Sequence, residues 1–316
     1  MNLGIPNLVA FAETLEALAE KDHKIIAVTS DSRGSGKLVP FGKKYPNQIV
    51  EVGIAEQNLV GMATGLASTG KKVFAVSPSC FLTARSLEQI KNDVCYSNNP
   101  VNLIGISAGV SYGALGTTHH SIHDLAVLRA INNLNIIVPA DNFETREAIK
   151  LAAELEEPVF IRFGKRAMYD LHAEDATFEL GKGIQLKEGK DIAFIATGET
   201  VYPAYQAAQL LEKQGISCRV ISMHSIKPFD EALLLETAKS CSAIITVEEH
   251  FVNGGLGELC AGILMQKGIS VPFKIVGIPD EYTVTGSQLE IFQHYGISAE
   301  GLFEVGNELL ENNNLA

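Results

Sequence analysis

The stretch Gly53-Ile-Ala-Glu-Gln57 places an acidic side chain where open α/β sheets bind their ligands. A predicted strand ends at Val52, and Glu56 falls in the first turn of the helix predicted to follow it. Ligands of such sheets bind just beyond the carboxyl ends of the strands. A glutamate in a first helical turn is also favoured by the helix dipole, without any function. Glu56 is therefore a candidate catalytic residue that has to be weighed together with the motifs around it.

Three histidines lie close together in a stretch rich in glycine and threonine, at His119, His120 and His123. Their spacing alone would allow a metal site. Metal-binding histidines are usually accompanied by an acidic or cysteine ligand and share a defined helix face. These three fall in a predicted loop, so we expect this chain to bind no metal ion through them.

The elements that must position these residues follow a simple alternation. Short β-branched runs alternate with longer amphipathic segments, which is typical of parallel sheets connected by helices. In the first half, strands are predicted at Ile25–Thr29, Ile49–Val52, Val73–Val76, Val101–Ile106, Ile136–Val138 and Val159–Arg162, and helices at Leu8–Ala19, Glu56–Ser68, Ala84–Tyr96, Leu125–Asn132 and Phe143–Leu155. In the second half, strands are predicted at Ile192–Ala196, Cys218–Ile221, Ala243–Val247 and Phe273–Val276, and helices at Tyr202–Lys213, Asp230–Lys239, Leu256–Gln266 and Ser298–Leu310.

The charged stretch Gly164–Lys190 interrupts this alternation. It contains several glycines and shows no clear period, which is typical of a connection between domains. We therefore predict two doubly wound α/β domains with mainly parallel sheets, at residues 1–170 and 191–316, joined by a linker at 171–190.

Composition excludes several classes of partner. The 316 residues are 46% hydrophobic and 20% charged, as in an ordinary globular protein. The 25 basic and 37 acidic residues give a formal net charge of −12, which argues against nucleic acid or an anionic membrane surface as a partner. The five cysteines show no C-x-x-C spacing, and no secretory signal or membrane-length apolar stretch occurs. We expect a cytoplasmic protein.

A series of motifs resembles those of the transketolases and their relative deoxyxylulose-phosphate synthase. The segment containing Glu56 is similar to the pyrimidine-domain motif of these enzymes, and the resemblance covers nearly the whole chain. The other motifs follow in the family's order: Thr29-Ser-Asp-Ser-Arg-Gly-Ser35, Gly116-Thr-Thr-His-His120 with the helix from Asp124, Val138-Pro-Ala-Asp141, Ile226-Lys-Pro228, and Thr246-Val-Glu-Glu-His250 with Gly254-Gly-Leu-Gly257. The resemblance implies a thiamine-diphosphate-binding fold followed by the transketolase C-terminal domain.

The resemblance also implies residues that bind the cofactor, thiamine diphosphate. Glu56 matches the glutamate that bonds N1′ of the cofactor's pyrimidine and favours the tautomer in which the amino nitrogen is basic. The protein then supplies orientation and tautomer control, and the cofactor serves as the electron sink. Asp31 matches an aspartate near the cofactor, with a loop residue that satisfies turn amides as the alternative. Phe81 is the candidate for an aromatic wall against the pyrimidine, with a core phenylalanine as the alternative.

Substrate-binding residues are implied in the same way. His119 matches the histidine that contacts substrate hydroxyls and transfers protons to the substrate oxygen. Ser35 and Lys165 match the family's phosphate-binding group by position. Lys165 replaces an arginine, so a point charge stands where the family has a planar fork.

The chain also departs from the family's pattern at substrate-facing positions. Leu115 stands where an aspartate of the motif G-x-D-G-x-x-H contacts a hydroxyl beside the donor ketone. Leu8 and Ser107 replace a phosphate-binding arginine and a histidine. We expect two-carbon ketol transfer in carbohydrate metabolism to be retained. The donor is expected to be an unusual or branched sugar phosphate, such as apulose 4-phosphate.

The family's diphosphate anchor has no counterpart in the sequence. Thiamine enzymes hold the diphosphate through a divalent ion bound by a G-D-G motif and a downstream asparagine. No Gly-Asp-Gly occurs here. We therefore expect that domain, with magnesium or another divalent ion, on a partner chain. The two chains would form the active site together in an α2β2 heterotetramer, and this transferase would be inactive without its partner.

Two other functions remain open from the sequence. The beta subunit of a 2-oxo-acid dehydrogenase has the same domain order, although the histidine loop and the Val-Glu-Glu-His segment fit a transketolase better. A non-catalytic regulatory subunit is favoured by the changes at Leu115 and Leu8 and opposed by the intact Glu56.

Overall fold

The computed structural model describes residues 1–173 and 175–314. Glu174, which belongs to the predicted linker, and the last two residues of the second predicted domain lie outside the described residues. The strands are β1 (Leu3–Pro6), β2 (Ile25–Thr29), β3 (Ile49–Glu51), β4 (Lys72–Pro78), β5 (Val101–Ile106), β6 (Asn135–Ile137), β7 (Val159–Phe163), β8 (Ala167–Tyr169), β9 (Ile184–Lys187), β10 (Ile192–Ala196), β11 (Cys218–Ser222), β12 (Ser225–Lys227), β13 (Ala243–Phe251) and β14 (Phe273–Ile278). The helices are α1 (Asn7–Lys21), α2 (Val39–Lys44), α3 (Glu56–Ala67), α4 (Ser79–Arg85), α5 (Leu87–Gln89) with its π-helical continuation Ile90–Tyr96, α6 (Asp124–Arg129), α7 (Asn142–Glu154), α8 (Val201–Glu212), α9 (Glu231–Ser240), α10 (Leu256–Gln266), α11 (Gln288–His294) and α12 (Ala299–Asn314).

The first half of the chain builds a seven-stranded sheet in the order β12-β6-β7-β5-β4-β2-β3. Six of these strands run parallel, and β12, which comes from the second half, pairs antiparallel with β6 at one edge. Strands β2, β5 and β7 are buried along their whole length, because helices cover both faces of the sheet. Phe160 and Ile161, which are adjacent in β7, accordingly belong to different apolar clusters on the two faces.

The second half builds a five-stranded sheet in the order β14-β13-β10-β11-β9. All pairs are parallel except that of β9 with β11. Its centre is the fully buried strand β10, where Phe194 packs in one apolar cluster with Ala204 and Leu211 of α8. The two sheets with their flanking helices confirm the α/β fold class that the sequence predicts.

The prediction differs from the structure at several elements: β1, α2, β12 and α11 were not predicted, and two further differences concern predicted segments. The stretch predicted as irregular, Gly164–Lys190, contributes two strands: β8 pairs with β1, and β9 closes one edge of the second sheet. The helix predicted at Ala84–Tyr96 begins earlier, at Ser79, and is interrupted at Ser86. The Ser86 hydroxyl donates to the carbonyl of Leu82, a local bond that competes with the helical ladder and ends α4.

Within the described ranges, no helix combines the length and the apolar character needed to cross a membrane.

Candidate functional site

The candidate residues follow the carboxyl ends of parallel strands in the first sheet. Asp31 comes after β2, Glu56 after β3, Phe81 after β4, His119 in the loop after β5, and Lys165 after β7. Parallel strands present all their carboxyl ends at one edge of a sheet, where ligands bind in α/β folds. The topology therefore brings residues from distant parts of the sequence to one side of the molecule.

Glu56 is the acidic residue of this edge. Gly53, with a φ of 74°, turns the chain from β3 into α3, and Glu56 begins that helix with its side chain only 3% exposed. Its Oε2 atom accepts a hydrogen bond from Nη1 of Arg85 at 2.9 Å. From the described part of the chain, Oε1 receives no hydrogen bond, and the side chain lines an open cavity of about 400 Å³. The carboxylate is thus held by one oxygen and free to accept through the other.

Phe81 and Arg85 lie four residues apart on α4 and share one face of it. The Arg85 guanidinium lies 4.5 Å from the centre of the Phe81 ring, within the range of a cation–π contact. The same guanidinium reaches Glu56, so one arginine connects the acid to the aromatic ring. Phe81 is half-buried and is not a core phenylalanine.

His119 lies between two aromatic rings. Its ring centre is 5.4 Å from that of Phe81 and 5.4 Å from that of Tyr112, each in an edge-to-face arrangement. The Nδ1 atom is 3.0 Å from the Thr118 hydroxyl, and no described residue forms a hydrogen bond with Nε2, which is left for a ligand. Beyond Tyr112, the Lys165 ammonium lies 4.5 Å from the centre of the tyrosine ring.

These contacts form one continuous series of side chains, which we call the site row. Its members are Glu56, Arg85, Phe81, His119, Tyr112 and Lys165. The row carries an acid at one end, aromatic surface and an imidazole in the middle, and a cation at the other end. Such an arrangement suits a ligand with a flat heteroaromatic ring next to a polar, anionic molecule.

His120 has a structural position next to the row. It is buried, its Nε2 atom donates to the carbonyl of Gly113 at 2.9 Å, and its Nδ1 atom accepts from the Thr283 hydroxyl at 2.6 Å. Burial lowers the pKa of His120, which fits the neutral tautomer that these two bonds require. His120 therefore connects the loop of His119 to the second half of the chain. In the described residues, no three His, Cys, Asp or Glu side chains form a group able to hold a metal ion.

Asp31 and Ser35 lie in the loop after β2 and do not join the site row. Asp31 has a φ of 51° and its side chain is exposed. Ser35 is exposed, and its hydroxyl donates to the carbonyl of Ser32 at 3.1 Å. No hydrogen bond connects either side chain to the row within the described residues.

Glu51 fastens the loops that carry Asp31 and Glu56. Its Oε1 atom accepts from the backbone N–H groups of Asp31 at 2.7 Å and Gly53 at 2.9 Å, and its Oε2 atom accepts from the Thr29 hydroxyl at 2.8 Å. Partial burial would raise the pKa of Glu51, but these donors hold it below its usual value. Two neighbouring strand ends are thereby fixed to one carboxylate.

The sequence did not indicate Arg85, Tyr112 or Glu51. Arg85 was placed inside a longer predicted helix, and its spacing of four residues from Phe81 is the signal that indicates a shared face. Tyr112 adjoins the glycine loop of His119, but its contact with Lys165 joins residues far apart in sequence. Glu51 ends a strand, and only the left-handed backbone at Asp31 and Gly53 explains what it binds.

Comparison with known families gives two matches along the chain. The family described as transketolase, pyrimidine binding domain, matches residues 5–169. The family described as transketolase, C-terminal domain, matches residues 181–302. The first match contains the whole site row, and the second contains Thr283, the partner of His120.

Individual relatives match over almost the full chain. A subunit of the apulose-4-phosphate transketolase of Phocaeicola vulgatus is 48% identical over 303 residues, covering 96% of both chains. The protein of the same name from Actinobacillus succinogenes is 39% identical, covering 90% of this chain and 92% of its own. A solved structure described as a split gene transketolase, an inactive beta4 tetramer, is 37% identical with a TM-score of 0.87, and the match covers 98% of this chain and 99% of that one.

Proposed function

Because the chain belongs to the transketolase family, we propose that it is the pyrimidine-binding subunit of a two-chain, thiamine-diphosphate-dependent transketolase. The observation that carries this proposal is the buried Glu56 at the carboxyl edge of the first sheet: it lines a cavity, and only one of its carboxylate oxygens accepts a hydrogen bond from the described residues. The reaction is the transfer of a two-carbon ketol unit between sugar phosphates. Relatives named for apulose 4-phosphate support a branched sugar phosphate of that kind as substrate.

The residues present fit the aminopyrimidine part of the cofactor. Glu56 lines an open cavity and has an acceptor oxygen that no described residue uses, and Phe81 offers an aromatic surface in contact with Arg85, which also lines that cavity. When bound, thiamine diphosphate supplies a nucleophilic carbon and an electron sink for cleavage of a carbon–carbon bond. Glu56 holds a proton at the pyrimidine N1′ atom, Phe81 orients the ring, and Asp31 lies nearby in the neighbouring loop.

The other end of the row binds substrate. His119 has Nε2 free and moves protons to and from the oxygens of the sugar. Lys165 supplies a cation for the phosphate group. The family resemblance assigns Ser35 to the same group, although its hydroxyl donates to the Ser32 carbonyl in the loop after β2. Tyr112 fills the space between His119 and Lys165 and gives the sugar an aromatic wall.

A partner chain completes the active site in this proposal. It holds the diphosphate through magnesium or another divalent ion, in an α2β2 assembly. The naming of the relatives as transketolase subunits and the inactive tetramer formed by beta chains alone support this arrangement. They do not favour a 2-oxo-acid dehydrogenase subunit or a regulatory subunit. We further propose domains at 1–170 and 191–316, and a cytoplasmic location, which suits the five free cysteines.

Reconstitution tests this function. The chain alone should bind thiamine diphosphate weakly and transfer no ketol unit, and mixing it with the diphosphate-binding chain should restore transfer. Tight magnesium-dependent binding of the cofactor by this chain alone, measured by calorimetry, would contradict the two-chain site.

The substitution Glu56→Gln tests the role of the Glu56 carboxylate. The amide keeps the shape of the side chain but does not favour a proton at N1′, so exchange of the cofactor's C2 proton in the complex should slow by orders of magnitude. Glu88→Gln, a change at another glutamate in the same half of the chain, is the control. If the C2 proton exchanged at the wild-type rate in Glu56→Gln, the result would contradict a role in cofactor activation and leave Glu56 only a structural role at the start of α3.

A further inference from the structure

Two buried acidic side chains of the second half, Glu249 and Glu199, form hydrogen bonds with loops that carry members of the site row. The backbone N–H of Val110 donates to Oε1 of Glu249 at 2.8 Å. The backbone N–H of Gly164 donates to Oε1 of Glu199 at 3.0 Å. Val110 lies two residues before Tyr112, and Gly164 immediately precedes Lys165. Each carboxylate therefore holds the backbone next to one member of the row.

At both contacts a glycine leaves the space that the glutamate side chain fills. A Cβ atom added to Gly109 would lie 2.1 Å from Cδ of Glu249, and the φ of Gly109 is 59°, a region that disfavours other residues. A Cβ atom added to Gly164 would lie 2.4 Å from Oε1 of Glu199. The two loops and the two acids are thus fitted to each other at close range.

The side chain of Gln288, at the start of α11, joins the two acids. Its Nε2 atom donates to Oε2 of Glu199 at 2.8 Å and to Oε1 of Glu249 at 2.8 Å. All three side chains are buried, at 7%, 4% and 5% exposure for Glu199, Glu249 and Gln288. We call these three residues the acid–amide–acid bridge. It runs without interruption from the loop of His119 to the loop of Lys165.

Burying two acidic side chains is costly unless their charge is neutralised or their hydrogen bonds are complete. Among the described residues, no cation forms an ion pair with either acid: Arg162 pairs with Asp124 and donates to the carbonyl of Glu249, and Arg166 is exposed. An apolar contact between the domains would hold them together at a lower desolvation free energy. Unlike such a contact, the bridge fixes the distance between two loops through directional hydrogen bonds.

We propose that Gln288 is a positioning residue for ketol transfer, which sets the place of the Lys165 cation relative to His119 through Glu199 and Glu249. This inference rests on the proposed function and deepens it. An anionic donor has to meet Lys165 with its phosphate and His119 with its reacting end at once. A shift of one loop relative to the other breaks that match, whereas Glu56 and its cavity, at the opposite end of the row, are unaffected.

The test compares Gln288→Leu with Gln293→Leu, a change on the same helix at an exposed glutamine. In the reconstituted complex, Gln288→Leu should raise the KM for a phosphorylated donor about tenfold or more, because small misplacements of binding groups have large effects. Exchange of the cofactor's C2 proton should stay at the wild-type rate. Amide hydrogen exchange of the chain should become faster at residues 108–112 and 163–166. The control variant should change none of these.

A double-mutant cycle decides whether Gln288 acts through the cation. Lys165→Met alone should raise the KM, and adding Gln288→Leu should raise it little further. If the KM increases of the two single variants multiplied in the double variant, the proposal would be overturned. A Gln288→Leu complex with wild-type KM and wild-type amide exchange would overturn it as well. If Gln288→Leu fails to fold, Gln288→Asn, which is too short to reach both acids, takes its place in every arm.

The outcomes separate this inference from the function it rests on. A wild-type complex without ketol transfer would contradict the proposed function, while the amide-exchange arm would still report on the bridge. A wild-type complex that transfers ketol units, with a Gln288 variant equal to it, would contradict the positioning role alone.

Discussion

Glu56 is buried, yet one of its carboxylate oxygens accepts no hydrogen bond from the described residues. Its ion pair with Arg85 joins a carboxylate that is 3% exposed to a guanidinium that is 50% exposed. The arginine therefore faces the cavity as well as the acid, and it also lies over Phe81. A ligand ring entering here meets an acid already oriented by a neighbour, which reduces the ordering needed on binding.

The location of four candidate residues at one edge of the first sheet was predictable from the strands that precede them. Glu56, Phe81, His119 and Lys165 each follow a strand that the sequence predicts, and the structure places them in one row. Arg85 joins that row only through a contact in space, which sequence patterns do not specify.

Leu115 is the residue at which we expect substrate choice to be decided. It lies in the turn Gly113–Leu115 between Tyr112 and His119 and is 56% exposed. A leucine offers no acceptor to a donor hydroxyl, and a hydroxyl that the assembled site buries away from water without a partner costs about 1–3 kcal/mol. Xylulose 5-phosphate should therefore be a poor donor relative to one with an apolar or branched group at that position.

Leu115→Asp should shift specificity toward the common ketose phosphates by about tenfold to a hundredfold. The measurement is the ratio of kcat/KM for the two donor types in the wild type and the variant. Ala114→Asp, at the exposed neighbouring position, controls for added charge. A wild-type complex that already prefers xylulose 5-phosphate would show that Leu115 does not define the substrate.

At the scale of elements, strand β7 and helix α6 are joined by a buried ion pair. Nη1 of Arg162 lies 2.5 Å from Oδ1 of Asp124, and both side chains are almost completely buried. Asp124 also accepts from the hydroxyls of Ser79 and Ser121. Burial would raise the pKa of Asp124, but the Arg162 charge and these donors hold it below its usual value.

Arg162→Met should lower the free energy of unfolding by about 3–5 kcal/mol, because it leaves Asp124 as an uncompensated buried charge. Arg146→Met removes an exposed pair with Glu13 at 3.5 Å and should cost at most about 1 kcal/mol. Urea unfolding of the two variants measures both values. Equal losses would mean that the buried pair contributes no more than a surface pair.

The elements that the sequence missed are short or depend on distant partners. Strand β12 has three residues, too few for alternation to show, and it exists because it pairs with β6 from the other half of the chain. Strand β9 lies in a charged stretch and forms an edge of the second sheet, where one side of the strand needs no neighbour. The long buried strands, in contrast, are evident from composition alone.

At the scale of the whole molecule, the two halves meet through polar groups that sequence patterns do not pair. The acid–amide–acid bridge, the bond from His120 to Thr283 and the contact of Arg162 with the Glu249 carbonyl all cross between the halves. The sequence predicted none of these contacts, because each depends on how the two halves of the chain dock. Because Glu199 and Glu249 are buried among these contacts, the stability of the docked halves should depend on their protonation.

Glu249 should make the stability of the chain depend on pH. Burial, together with repulsion from Glu199, raises the pKa of Glu249 from its usual 4.5 to about 8. A carboxyl whose pKa is higher in the folded chain binds more protons there, so its contribution is fully present below pH 4.5 and declines as the pH rises to about 8. In Glu249→Gln this contribution is removed, while the amide oxygen can still accept from Val110. The difference in unfolding free energy between the wild type and the variant should therefore change with pH, by up to about 1.4 kcal/mol per pH unit.

Urea unfolding from pH 5 to 8 measures that difference. The comparison with the variant is needed because burial also raises the pKa of Glu248, to about 7. Glu304→Gln, at an exposed position on α12, should run parallel to the wild type. A Glu249→Gln curve that also runs parallel to the wild type would show that Glu249 carries no proton in the folded chain over this range.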